Sequence, residues 1–461
     1  MLQINALQLI LYLTYSFTPA INCTCELSDQ PTTGAKDLSI FGTNIPLLNK
    51  FLKNFASCFS KKQMAMFALV IYALFKDYKR NSLDAMAKAT HTDYQNFQYF
   101  FSDSKWDIQA IKRTRLEIIQ KQRTTASTKN GLLAIDDTGC PKPFAKKTEG
   151  AKWQYCSPLK REEVCNVGVG AVFVSQAKHF PIDIIPYLPA SEFPRGKNNS
   201  QFKDKIQIAI ELFDLYSESF GFSGTVFDSW YAAARFLKHI HEKGKIFYSE
   251  MKSNRNIFMY HPVKKTHGCI KPDELVTLIK KHYCNKIKFV KLQTTDGSEV
   301  SHKTYSFEAK LKDCDVPIKF VVIFGKWNKD DDNNYHILIT NDLRASAKTV
   351  VTNYLLRWGI EHCFKELKDT FYFDHYQVRH IEKIERYWNL CLIAWTLTYW
   401  IKQNAYLNKI LETQPTTFNE FKQAINSLLE LSSLGTLSKN KTLADDYFKV
   451  KSKRLKKKLA A

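Results

Sequence analysis

The stretch Tyr354 to Lys368, YLLRWGIEHCFKELK, sorts its residues by position. At 100° per residue, Tyr354, Arg357, Glu361 and Lys368 fall within about 60° of arc on one helix face, while Leu356, Ile360, Cys363, Phe364 and Leu367 fall on another. One face packs and the other carries charge. Most such patterns are amphipathic helices with a solvated stripe, so the meaning of this one rests on what the rest of the chain supplies.

With 461 residues, 44 % apolar and 13 % aromatic, the chain is long enough for two or three globular domains with cores of their own. Its 67 Lys and Arg against 45 Asp and Glu give a formal charge of +22 spread along the sequence, which suits a polyanion, nucleic acid above all. Eleven cysteines, an odd number scattered through apolar segments, argue against a secreted disulfide framework and for a reducing, cytoplasmic setting. The first 35 residues hold no Lys or Arg, and their apolar run from Ala6 to Phe17 is too short for a membrane span and lacks the basic start of an export signal. Residues 1–38 read as a leader outside the fold, with a cleaved signal peptide as the alternative.

Residues 39–126 read as a helical domain. Gln63 to Tyr78 contains FALVIYALF, apolar all round and therefore a buried helix. Ser82 can cap SLDAMAKAT, and after a polar turn YQNFQYFF begins. Two short helices about a tight turn form either a helix-turn-helix, with Gln95, Asn96 and Gln98 facing bases, or a plain packing bundle. The basic helix Ile108 to Thr124 leads onward.

At Gly131 the texture changes. LLAI is predicted as a short buried strand ending directly in Asp136-Asp137-Thr138-Gly139, and Val164 to Ser175 and Phe180 to Tyr187 as two more. A helix over Gln201 to Phe220 precedes TVF, which delivers Asp228 at its tip, followed at once by a predicted helix SWYAAARFLKHI and the strand KIFYS. Residues 127–252 thus form the first part of one domain. A β-rich insertion occupies 253–335, and 336–384 close the domain with YHILIT and the Glu361 helix. In the C-terminal helical region, 385–461, WNLCLIAWTLTYW is a core helix, too short to span a membrane, ahead of a basic tail.

Strand-strand-strand-helix-strand-helix-strand, with acids on the first and fourth strands and a third on a late helix, is the layout of an α/β, ribonuclease-H-like mixed sheet flanked by helices. Three distant carboxylates brought together suit phosphodiester cleavage by two hard divalent cations. Taken in order, DDTG after an apolar strand, TVFDSWY, and Tyr-x2-Arg-x3-Glu-x6-Lys resemble the DDE transposases of bacterial cut-and-paste insertion sequences, over about residues 130 to 380.

The resemblance implies that Asp137, Asp228 and Glu361 hold two Mg²⁺ or Mn²⁺ ions, with Asp136 either a supporting group or the ligand in place of its neighbour. It implies further that Tyr354, Arg357 and Lys368 hold DNA phosphates, and that an aromatic on the insertion, Trp327 or Tyr335, stacks a flipped base. The expected partner is DNA, both terminal inverted repeats and target, engaged by a homodimer in the bacterial cytoplasm at the nucleoid, with no membrane. Two other classes stay open: a DNA-binding regulator that keeps the fold without cutting, and a nuclease that cuts without joining strands.

Overall fold

The computed structural model describes residues 46–76, 82–90, 92–261, 263–293, 299–325, 334–405, 407, 411 and 414–439. The expected leader 1–38, Trp327 and the basic C-terminal tail lie outside them. The described chain divides into two compact units. One takes the residues up to Ala126, Lys146–Glu149 and those from Lys365 on; the other takes Ser127–Ala145 and Gly150–Phe364.

The second unit is built on one mixed sheet. Strand β1 (Leu132–Pro141) runs antiparallel to β3 (Arg161–Val174), whose other edge pairs with β2 (Lys152–Cys156) and β4 (His179–Tyr187). On its far side β1 is parallel to β5 (Gly224–Phe227), and β5 to β6 (Ile246–Glu250). This is the ribonuclease-H-like order. Leu132 to Ile135 and Val167 to Val174, apolar apart from two glycines, are buried, as strands covered by helices on both faces should be.

The stretch expected as a β-rich insertion prolongs this sheet. Strands β7 (Ile257–His261), β8 (Thr266–Ile270), β9 (Lys288–Gln293), β10 (Glu299–Leu311) and β11 (Cys314–Phe324) join it through β12 (Tyr335–Thr340), which is antiparallel to β6. Helix Pro272–His282 within this stretch, and strand β2 between the first two expected strands, have no counterpart among the elements expected from the sequence.

Three local expectations need correction. The acid pair sits inside β1 instead of at its tip, because Thr138 to Pro141 keep pairing with Gly168 to Cys165 of β3. Asp228 is followed by a turn, and the next helix begins at Ala234. Tyr354 to Lys368 is not one helix: Ala347–Leu355 ends, Leu356 and Arg357 turn, and Trp358–Phe371 begins. There the backbone bonds tighten from four-residue to three-residue spacing, with Arg357, Gly359 and Ile360 donating to Tyr354, Leu356 and Arg357 at 3.0 Å each.

Two glycines let the Glu361 helix rest on β3. A Cβ on Gly170 would lie 2.8 Å from Phe364 Cζ, and one on Gly359 would lie 2.7 Å from Val174 Cγ1. Gly170 is paired with Asp136 in the sheet, so this close approach also fixes how near Glu361 comes to the acid pair.

The helical unit follows its sequence closely. Ser60 and Gln63 form a reciprocal cap on helix Lys61–Leu74, whose residues from Met66 on are buried. Ser82 Oγ accepts from Ala85 N at 3.0 Å and Asp93 caps helix Tyr94–Ser102. Helix Ile381–Gln403 fills the core, Trp395 stacking on Phe418 at 5.1 Å and Tyr399 at 5.0 Å, while the buried Lys112 ammonium meets Glu385 at 2.9 Å. Among the described residues no helix is long and apolar enough to cross a membrane.

Candidate active site

Parallel pairing of Ile135 with Phe227 puts Asp136 level with Asp228, one residue beyond the last rung. Asp228 is held by its own turn, Oδ1 accepting from Trp230 N at 2.9 Å and Tyr231 N at 3.2 Å. Neighbours on a strand point to opposite faces, and the acid pair divides accordingly. Asp136 looks toward Arg357, whose Nη1 lies 3.5 Å from Asp136 Oδ2 and 2.7 Å from Glu361 Oε1. Asp137 looks the other way, Oδ2 accepting from Lys205 Nζ at 3.0 Å and Tyr231 OH at 3.2 Å. Glu361 stands in the first turn of its helix, where the dipole favours an anion.

Crowding sets the electrostatics. Burial, then repulsion from Asp228 and Asp137, pushes the Asp136 carboxyl well above the usual range against the pull of Arg357. Burial also raises Asp228, opposed by the Tyr231 N–H, the Arg357 charge and the Trp230 N–H. For Arg357, burial alone would lower the pKa; Tyr354, Glu361 and Asp136 outweigh it and keep the guanidinium charged. The buried Tyr231 phenol is raised by desolvation and the surrounding carboxylates.

Among the described residues no three His, Cys, Asp or Glu side chains close into a ready-made metal cage. The donor chemistry nevertheless fits hard divalent cations. Asp136, Asp137 and Asp228 lie within one another's fields, all offering oxygen, and a cation between them would relieve a repulsion that Arg357 and Lys205 only partly offset.

The remaining expected contacts are spread out. Tyr354 is buried and its hydroxyl donates to Glu250 Oε2 at 3.0 Å, while its ring lies 5.7 Å from the Arg357 guanidinium. Tyr335, at the start of β12, donates to Asp273, and burial with that carboxylate pushes its phenol up to about 12. Lys368 follows Glu361 by seven residues, on the stretch of helix that belongs to the helical unit.

Two family models match the chain: a DDE superfamily endonuclease over residues 54–271 and a transposase DDE domain over residues 203–397. The chain is also similar to a probable transposase for insertion sequence element IS701 from Microchaete diplosiphon. The two are 24 % identical over 312 residues, 67 % of this chain and 75 % of that one. The chain belongs to the DDE transposases. Transposases of this family normally use divalent metals.

Lys205, Trp230 and Tyr231 are the neighbours of the acids that the sequence reading passes over. TVFDSWY exposes the second and third as the residues after an acid, but nothing local says that Lys205, at the start of helix Lys205–Ser217, lies across from Asp137.

Proposed function

We propose that this transposase binds the terminal inverted repeats of its element and cuts DNA at the ends by divalent-metal-dependent hydrolysis. It then joins the 3′-hydroxyl ends to target DNA, by cut-and-paste through hairpin ends. The observation that carries this reading is the meeting of β1, the end of β5 and the Glu361 helix, where Arg357 joins Glu361 to Asp136, level with Asp228. Asp228, Glu361 and one member of the acid pair would hold two Mg²⁺ or Mn²⁺ ions: Asp137, as the resemblance implies, or Asp136, the member that faces Arg357 and Glu361. When bound, such ions activate the attacking oxygen and stabilise the leaving one.

The protein's own part is to hold that arrangement. Tyr231 orients Asp137, the Asp228 turn fixes the second acid, and Arg357, supported by the Tyr354 ring, orients Glu361 and meets phosphate, as Lys368 does. In the helical unit the exposed Tyr94, Gln95, Gln98 and Tyr99 of helix Tyr94–Ser102, with Asn96 beside them, read the repeat after a tight turn. A homodimer pairs the two ends at the bacterial nucleoid, with Trp327 or Tyr335 stacking the base flipped at a hairpin tip.

The deciding experiment incubates the protein with a linear duplex carrying the element's end, in Mg²⁺ and in EDTA. A metal-dependent break at the boundary, lost in Asp228→Asn and Glu361→Gln with DNA binding kept, is expected. Comparing Asp136→Asn with Asp137→Asn ranks the first ligand. Binding without a break in Mg²⁺ or Mn²⁺ would instead leave a DNA-binding regulator of transposition.

A further inference from the structure

Lys205 has an unusual position for a lysine. Its side chain is 17 % exposed, and its ammonium lies 3.0 Å from Asp137, 5.3 Å from the Trp230 ring centroid and 5.6 Å from that of Tyr187. An ammonium has three donors, and among the described residues Asp137 is the only oxygen that accepts from this one. The adjacent Asp204 caps its own helix and is paired with Arg235. Trp230, at the rim, is 42 % exposed, and a second ammonium, that of Lys252, lies 5.8 Å from its ring.

We propose that Lys205 is a phosphate-holding residue of the cutting site, gripping a backbone phosphate of the DNA strand on the face of β1 opposite Arg357. This rests on the reading of the acid cluster as that site. Any phosphodiester brought to Asp137 comes within reach of a flexible ammonium already 3.0 Å from that acid. A phosphate oxygen supplies the acceptors that the aromatic rings cannot, and two cations on opposite faces of one strand grip the DNA backbone from both sides.

The test is a scan of neutral methylphosphonates through the strand around the element boundary, measuring Kd in EDTA and, separately, cleavage in Mg²⁺. For the wild type, one substituted phosphate should weaken binding on the order of tenfold. In Lys205→Ala that position alone should lose its effect, and Lys205→Arg should restore it. If Lys205→Ala weakens binding equally at every substitution, or leaves the whole profile unchanged, Lys205 serves only as a counter-charge to Asp137 and the proposal fails. Thermal melting of each variant separates these outcomes from misfolding. A wild type that binds but never cuts overturns the proposed reaction, while the binding profile in EDTA still decides whether Lys205 grips phosphate.

Discussion

Arg357 reaches Glu361 across 2.7 Å with the same Nη1 that lies 3.5 Å from Asp136, so one largely buried cation couples a helix to a strand. Arg357→Ala would leave Asp136 facing Asp228 and Asp137 without its nearest cation. A loss of about 3 kcal/mol at neutral pH is expected from urea unfolding, as for other buried pairs broken on one side. Asp136→Asn in the same chain should recover most of it. Additive effects of the two substitutions would mean that the contact is not an energetic one.

Asp136 makes stability depend on pH in an uncommon direction. A carboxylate raised in the folded state binds more protons folded than unfolded, so it stabilises the fold fully below its unfolded value of about 3.9 and progressively less as pH climbs to the folded value. Asp136→Asn removes that slope. Melting temperatures measured in EDTA from pH 4 to pH 8 should agree at the acid end and favour the variant at the alkaline end; parallel curves would show that the raised carboxyl has no such role. The raised Asp228 adds a slope of the same sign, which persists in the variant.

Much of this arrangement is visible in the sequence, and the part that is not has a physical reason. LLAI, TVF and the apolar face around Ile360 announce buried elements because burial demands apolar runs, and the acids stand out by interrupting them. The extent of β1 does not show, since Thr138 to Pro141 look like a turn until β3 is found pairing with them. The break at Leu356–Arg357 is equally silent, because both residues suit a helix. The union of the insertion with the sheet rests on β6 meeting β12, some ninety residues apart in sequence. That partner choice is set by tertiary packing, as is the meeting of Lys205 with Asp137.

Tyr354→Phe separates two uses of one hydroxyl. Because that hydroxyl donates to Glu250 at 3.0 Å and the ring beside Arg357 is kept, the variant should lose about 1 kcal/mol of stability and bind the element's end as the wild type does. A loss of affinity of about tenfold in a competition assay would instead give the hydroxyl to a DNA phosphate.

Gly170→Ala acts on Glu361 through packing alone. The new methyl would stand 2.8 Å from Phe364 Cζ, and Phe364, three residues beyond Glu361, is buried with little room to yield. Overpacking of this kind costs about 1–3 kcal/mol and is relieved by moving the helix off β3. Glu361 then draws away from Asp136, so cleavage of the element's end should slow while its binding in EDTA persists. Phe364→Leu in the same chain removes the offending ring atoms and should return both stability and cutting. If cutting stays slow when stability returns, the ring itself is needed to place the helix, and Gly170 only makes room for it.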